Sequence, residues 1–217
     1  AIRLFFDKPL APDKARPNWI DIGLGAVGLL GCIAAIAFDI IAVRLSAHHT
    51  FVKSTVSALA GGERGWIMDL GITGFAIGML AVAAGLWRWP NESLRWKAGT
   101  AILALAACGL LVIAYYDAYA EPVTQMIVIH DSLVAVTGLA FSLTLALLSA
   151  HMGNMREGFG YASIGLLALW LLPWPAVYLV PDAYSGAVER ISALAMIAWL
   201  AMTSFFLIQK GRGVLPK

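Results

Sequence analysis

The sequence predicts an all-α integral membrane protein, a polytopic bundle of six transmembrane helices. Of its 217 residues, 60% are hydrophobic and 13% are charged, and the mean hydropathy is +0.80. Average globular chains carry about 25% charged residues, so this chain lacks the polar surface of a water-soluble fold. A helix needs about 20 mainly apolar residues to cross the hydrocarbon core of a bilayer, and six stretches meet that requirement.

The six stretches follow one another with short connections, except for a longer one at 46–65. They cover residues 19–44, 66–89, 98–117, 126–150, 160–180 and 189–210. We therefore expect one transmembrane domain over residues 19–210, flanked by an N-terminal segment at 1–18 and a tail at 211–217.

The distribution of Lys and Arg predicts which ends of the helices face the cytoplasm. With the N-terminus inside, eleven basic residues lie on the cytoplasmic side and four on the outer side. This excess agrees with the preference of positively charged loops for the cytoplasm. Because six spans return the chain to its starting side, both termini are predicted to be cytoplasmic. The net charge of +2 and the lack of a dense basic run argue against a nucleic-acid partner.

Small residues in the first two spans predict close helix packing. The first span carries four glycines, and Gly74 and Gly78 in the second have the GxxxG spacing. Such residues let helix backbones approach closely in lipid, either inside one bundle or between two copies. Trp87, Trp89 and Trp96 flank the second inner loop, and Trp19 and Trp66 start spans, so we expect these rings at headgroup depth. Cys32 and Cys108 fall inside apolar runs and are expected to be buried, unpaired packing residues.

The connection at 46–65 has a pattern of its own. The apolar residues Phe51 or Val52, Val56, Leu59 and Ala60 fall at helical spacing with polar residues between them. This pattern predicts a short amphipathic helix at the outer interface that ends at the glycine pair beginning with Gly61. Such a helix would either cover the bundle as a lid or simply connect the first two spans.

The fifth span contains Pro173 and Pro175. Each proline removes a helical N–H donor and clashes with the preceding turn. We therefore expect this span to be kinked or broken near its outer half. Broken helices line ligand cavities in many transporters, whereas a kink can also be purely structural.

Most ionisable residues of the apolar part lie near the outer ends of the spans. They are Asp39, Asp69, Asp117, His130 and Asp131. A charge in lipid is costly, so such residues usually face a protein interior or a wet cavity and mark function. Asp117 ends the third span and His130 opens the fourth, so their hairpin brings both to similar depth. We predict an outward-facing polar pocket that also includes Tyr116 and Trp174.

Three interpretations of this cluster are open. In the first, His130 makes a structural hydrogen bond to Asp117 or to a backbone carbonyl, and Arg44 or Arg64 neutralises a carboxylate. In the second, Asp117, His130 and Asp131 bind zinc, although no single helical face supplies two ligands. In the third, the pocket recognises a polar headgroup or a cation without chemistry.

Signatures of catalysis and of cofactors are incomplete. A Ser–His–Asp site would combine Ser54 or Ser57 with His130 and Asp117, but no nucleophile-elbow sequence surrounds either serine. No lysine lies inside a span to hold retinal, and only His130 is clearly inside one, which disfavours a bis-histidine haem. No cofactor is therefore predicted, and zinc is the metal that the residue types would allow.

Residues 57–66, which read SALAGGERGW, lead into the glycine-rich second span. This segment resembles the hallmark of a bacterial six-span family catalogued as domain of unknown function 998. Asp117 and His130 match an Asp after the third span and a His at the head of the fourth that the family tends to carry. The Pro expected near that Asp is absent, because Ala118 and Tyr119 follow it. The resemblance covers the chain from the first span to the sixth; it implies a helical bundle with an outward polar cluster and brings no established reaction.

The sequence favours a non-catalytic protein of the bacterial cytoplasmic membrane. It would bind a lipid-like or hydrophobic ligand at the outer pocket, or serve as an accessory subunit of a larger membrane complex. Its partners would be membrane lipids and, in the second case, other subunits. One alternative is an intramembrane hydrolase or transferase for lipid headgroups, with Asp117 and His130 as ligands or acid–base pair. Another is a proton-coupled transporter, which lacks the acidic residue expected near the membrane centre.

Overall fold

The computed structural model describes residues 17–90, 93–115, 123–155, 157–176 and 179–214, with side chains except at 123–128, 154, 155, 157, 174 and 175. Over these residues the chain is all-α and contains no strand. The helices are α1 (Trp19–Leu45), α2 (Val56–Ala60), α3 (Gly65–Trp87), α4 (Leu94–Tyr115), α5 (Val123–Met155), α6 (Glu157–Leu171), α7 (Pro173–Ala176) and α8 (Asp182–Gly211).

Helix length and composition make the chain a multi-pass membrane protein. Among the described helices, α1, α3, α4, α5 and α8 are long and apolar enough to cross a bilayer. The apolar helix α6 has 15 residues, about 22 Å at 1.5 Å per residue, which is less than the ~30 Å of the hydrocarbon core. Five described helices therefore meet the requirement alone, and the predicted count of six depends on how α6 and α7 are placed.

The long helices form a closed ring in chain order. Each of α1, α3, α4, α5, α6 and α8 packs against the next, and α8 closes the ring on α1. The main core fills the ring toward the end opposite α2, with Trp96, Trp199 and Phe206 fully buried in it. A second, smaller core lies at the end that carries α2, which we call the α2 end; Leu59 of α2 packs there with Met68 of α3.

Glycines bring α1 and α3 into backbone contact. A Cβ atom on Gly31 would lie 2.7 Å from the carbonyl oxygen of Gly74 and 3.0 Å from Cα of Gly78. No side chain fits between the helices at this point. The predicted small-residue packing is therefore confirmed as a contact within one chain.

The predicted break in the fifth span is confirmed. Helix α6 ends at Leu171, Leu172 lies in a turn, and the four-residue helix α7 begins at Pro173. The cause is the one expected from the sequence, since Pro173 has no N–H to continue the ladder.

The tryptophans and cysteines at the helix ends and in the apolar runs differ from one another in burial. Trp19, Trp66 and Trp87 are exposed, whereas Trp89 and Trp96 are buried in the main core, and the indole N–H of Trp96 donates to the carbonyl of Leu86 at 2.8 Å. Cys32 is buried as expected, but Cys108 is exposed; both are free thiols. Hydropathy alone cannot separate an indole that packs inward from one that faces headgroups, because both lie near helix ends.

Helix α8 begins at Asp182, about two turns before the predicted start of the sixth span at 189. Its first two turns are too polar for a hydropathy window to include, and Pro181 provides the N-terminal boundary. Glu189 and Arg190 consequently lie inside a helix and not at its boundary.

An ion-pair cluster that the sequence analysis missed closes the opposite end of the ring. Asp21 of α1 is buried, and its carboxylate lies 3.0 Å from Nζ of Lys210 on α8 and 3.5 Å from Nε of Arg88, which follows α3. The side chain of Asn18 caps α1 and donates to Asp21 at 3.1 Å. Three elements of the ring thus meet at one carboxylate.

The α1–α3 contact predicts a difference between two glycines of the same helix. Gly31→Ala forces a methyl group into the backbone of α3, so the free energy of unfolding in detergent should fall by about 1–3 kcal/mol. Gly23→Ala is the matched control, because nothing lies within 4 Å of the added carbon. Equal thermal midpoints for the two variants would contradict the contact.

Candidate functional site

A cavity of about 280 Å³ lies between the helices at the α2 end. Its lining comes from the C-terminal halves of α1 and α4, the N-terminal halves of α3, α5 and α8, the end of α6, and α2. Consecutive long helices therefore run in alternate directions around it. The volume is far larger than a single water molecule needs and is close to the lower limit of ordinary ligand pockets, about 300 Å³.

Most side chains that line the cavity are apolar. Ile36 and Ile40 of α1 and Leu194 of α8 line it and are also 41%, 45% and 52% exposed. The cavity is therefore open to the surroundings of the bundle along α1 and α8.

Helix α2 covers part of the cavity. Val56, Ser57 and Ala60 of this helix all line it. The hydroxyl of Thr55 caps the helix by accepting from the N–H of Ala58 at 3.1 Å, and the helix ends before Gly61. The predicted short helix is thus present, although it spans five residues only and begins after the positions of Phe51 and Val52.

The first turns of α8 hold the segment before α2 in place. The N–H of Ala187 donates to the carbonyl of Val52 at 2.9 Å, and the hydroxyl of Ser185 donates to that of Lys53 at 3.1 Å. A Cβ atom on Gly186 would collide with the backbone of Ser54. Backbone meets backbone here, so the segment has no room to shift toward α8.

Arg190 is the centre of this attachment. Its Nε and Nη2 donate to the two carboxylate oxygens of Asp39 at 2.9 and 2.8 Å, a bidentate pair. Its Nη1 donates to the carbonyls of Phe51 at 2.9 Å, Ser54 at 2.6 Å and Gly186 at 3.2 Å. All three guanidinium nitrogens are therefore engaged by the protein, and α8, α1 and the segment before α2 are connected through one side chain.

Glu189 makes a second connection to α2. Its Oε2 accepts from the N–H of Val56 at 2.6 Å, the first residue of the helix. A carboxylate at a helix N-terminus also interacts favourably with the helix dipole. Since Glu189 lines the cavity as well, it contributes a polar group beside Ser57.

The cavity contains a contact between a hydroxyl and an imidazole. Oγ of Ser57 lies 2.9 Å from Nε2 of His130, and both residues line the cavity. His130 is 6% exposed. Its other ring nitrogen, Nδ1, is buried and has no hydrogen-bond partner among the described residues. Buried polar atoms are rarely left in this state, and of the five described residues with such an atom, His130 is the one that lines the cavity.

The structure brings together some of the residues that the sequence analysis selected. Asp39, Asp69 and His130 line the cavity, and Asp39 is neutralised by Arg190. Asp131 is exposed and is not part of the described lining; adjacent residues of a helix point about 100° apart, so it diverges from His130.

Three further residues of the predicted pocket cannot be placed. Tyr116 and Asp117 lie outside the described residues, and so does the side chain of Trp174.

Two polar residues of the lining, Glu189 and Arg190, were missed by sequence reasoning. Their sequence signal is an acidic residue next to a basic residue at the edge of an apolar run. Such a pair lies inside the helix when the helix extends beyond the apolar residues. Among the described residues no group of three or more His, Cys, Asp or Glu could hold a metal ion. Zinc binding through Asp117 stays a prediction.

A family model described as "protein of unknown function (DUF998)" matches residues 29–205. No curated protein and no solved structure matches the chain.

The Arg190–Asp39 pair predicts strong coupling between α8 and α1. Removing one partner leaves a buried charge unpaired, so Arg190→Gln or Asp39→Asn should each lower the free energy of unfolding by about 3–5 kcal/mol. In the double variant the free energy of unfolding should fall by less than the sum of the two single losses, because no unpaired charge is left when both residues are replaced. Arg44→Gln, at an exposed arginine of α1, is the control and should stay within about 0.5 kcal/mol of wild type. Additive losses in chemical unfolding would refute the coupling.

Proposed function

The chain belongs to the DUF998 family, and because that family's description assigns no activity, we propose from the cavity that the protein binds a lipid-like or other hydrophobic ligand. The apolar part of the ligand occupies the cavity between α1 and α8. Its polar end lies beside Ser57, His130 and Glu189, beneath α2.

The unpartnered nitrogen of His130 is the observation that carries this proposal. A buried imidazole with one satisfied and one unsatisfied nitrogen has a free energy cost, because the unsatisfied atom has lost its water. A hydroxyl or carbonyl group on a bound ligand removes that cost. The apolar lining around it, with few polar groups, is typical of ligand pockets.

The lateral opening supports a ligand that comes from the membrane. The exposed lining residues Ile36, Ile40 and Leu194 are apolar, so a lipid chain enters along them without dehydrating polar groups. Arg190 does not attract anionic headgroups into the cavity, since its nitrogens are used by Asp39 and by backbone carbonyls.

We also propose the placement of the chain in the membrane. The helices α6 and α7 together form the fifth of six crossings, which keeps the alternating direction of neighbouring helices. Both termini then lie in the cytoplasm, and the α2 end with its cavity faces the outer side of a bacterial cytoplasmic membrane. The basic residues support this orientation through the preference of positive charge for the cytoplasm. The roles of accessory subunit and proton-coupled transporter stay predictions from the sequence, since no described contact favours either.

Ligand binding predicts opposite outcomes for two tryptophan substitutions on α5. Val134 lines the cavity, so Val134→Trp fills it, whereas Val136 is 65% exposed on the same helix and Val136→Trp leaves it empty. Protein purified from membranes in mild detergent is analysed by native mass spectrometry and lipid extraction. The amount of lipid bound to Val134→Trp should be at least about tenfold lower than in wild type, a difference of roughly 1.4 kcal/mol in binding free energy. The amount bound to Val136→Trp should equal that of wild type. If both variants and wild type carry the same lipid, or none carries any, the proposal is wrong.

The proposed orientation predicts different accessibility for two cysteines introduced at exposed positions. Lys53→Cys lies before α2 and Arg95→Cys lies in the first turn of α4, at the opposite end. A membrane-impermeant maleimide added to spheroplasts should label Lys53→Cys at once and Arg95→Cys only after the membrane is disrupted. Wild-type protein labelled in parallel gives the background signal from the native thiols of Cys32 and Cys108. The reverse pattern would invert the topology and place the cavity on the cytoplasmic side.

A further inference from the structure

We propose that Ser57 is a nucleophile activated by His130 and that the protein cleaves carboxylic esters of long-chain acyl groups bound in the cavity. This activity rests on the proposed ligand binding, because the acyl chain must occupy the apolar space for the ester to reach Ser57. A serine hydroxyl is a weak nucleophile alone and becomes effective when a general base takes its proton. The distance of 2.9 Å between Oγ and Nε2 is within the reach required of such a pair.

The half-buried hydroxyl of Ser57 differs in its contact from several buried hydroxyls of the bundle. Thr100, Thr144 and Thr203 each donate to the carbonyl four residues earlier in their own helix. Ser192, which lines the same cavity, also donates to a carbonyl of its own helix, that of Val188 at 3.4 Å. That local bond satisfies a hydroxyl at no cost to the fold. Ser57 instead meets an imidazole from a helix 73 residues away.

The segment that carries Ser57 is fixed from both sides of its helix. Glu189 holds the N–H of Val56, the residue before Ser57, and Thr55 caps the N–H of Ala58, the residue after it. Arg190 secures the preceding turn through the carbonyl of Ser54. A nucleophile must be held in one geometry for the reacting atoms to align, and these contacts provide that restraint.

The charges around Ser57 select the substrate class. The cavity lining is mainly apolar, and Arg190, the guanidinium within its described lining, is engaged by five acceptor atoms of the protein. A phosphate would find no free cation there. A neutral ester carbonyl with an apolar acyl chain requires none, so a fatty acyl ester fits and a phosphodiester does not.

The reaction is hydrolysis in two steps. Oγ of Ser57 forms a bond to the carbonyl carbon while its proton passes to Nε2 of His130. The bond between that carbon and the alcohol oxygen breaks, and the alcohol leaves with the proton from Nε2. A water molecule then attacks the acyl carbon while one of its protons passes to Nε2. The bond between that carbon and Oγ of Ser57 breaks, and Oγ takes the proton back from Nε2. The products are the free carboxylic acid and the restored hydroxyl of Ser57.

The test uses the full chain in detergent with a long-chain alkyl fluorophosphonate and a fluorogenic long-chain ester. In wild type the fluorophosphonate should form one covalent adduct, which peptide mass spectrometry maps to Ser57, and the ester should be hydrolysed. Ser57→Ala should lose both reactions. His130→Gln keeps a hydrogen-bonding side chain but no base, so both rates should fall by at least about 100-fold.

Thr203→Val is the control, since it removes a buried hydroxyl that bonds to a carbonyl of its own helix and does not line the cavity; both of its rates should stay within about twofold of wild type, as expected for a group with no part in proton transfer. Thermal unfolding and bound lipid are measured on the same samples. A folded wild type that retains lipid but gives neither adduct nor hydrolysis overturns the esterase activity and leaves ligand binding intact. Labelling of Ser57 that is unchanged in folded His130→Gln overturns the role of His130.

Discussion

The ion pair between Arg190 and Asp39 is the interaction on which the α2 end depends. A charge inside a membrane-spanning helix is tolerated when it is paired and when its remaining donors are satisfied. Arg190 meets both conditions, with two bonds to a carboxylate and three to backbone carbonyls. Lysine, with its single nitrogen, could not replace it. Without this side chain, α8 would lose its ion pair with α1 at this end, and the carbonyls of Phe51 and Ser54 before α2 would each lose a donor.

The cavity follows from that arrangement. The ring of helices is filled by large aromatic residues toward one end, and at the α2 end the helices are connected by polar bonds around a space. Side chains that pack only through apolar contacts would move together and fill such a space. The hydrogen bonds and the ion pair at this end instead hold α1, α8 and α2 at fixed distances from one another. Ser57 and His130 face each other because the network fixes α2, so the geometry of the pair and the stability of this end have the same source.

The sequence predicts the local features of this fold well. Apolar runs located the long helices, Pro173 located the break after α6, and Gly74 with Gly78 indicated close packing. Each of these depends on residues near one another in the chain. The cavity lining depends on partners far apart, such as Arg190 with Asp39 and Ser57 with His130. Hydropathy places the start of a span where apolar residues begin, so it assigned the lining residues of α8 to a boundary and missed their role.

The two ion-pair clusters lie on the same pair of helices, near opposite ends. Asp21 and Asp39 are 18 residues apart on α1, and Arg190 and Lys210 are 20 apart on α8. At 1.5 Å per residue these separations are about 27 and 30 Å, close to the hydrocarbon thickness of a bilayer. The helix pair therefore has a charge cluster at each end of a segment that is about as long as the hydrocarbon core is thick. Bilayer thickness becomes a physical variable for this protein, because a much thicker membrane would draw one of the clusters, and with it the support of α2, into hydrocarbon.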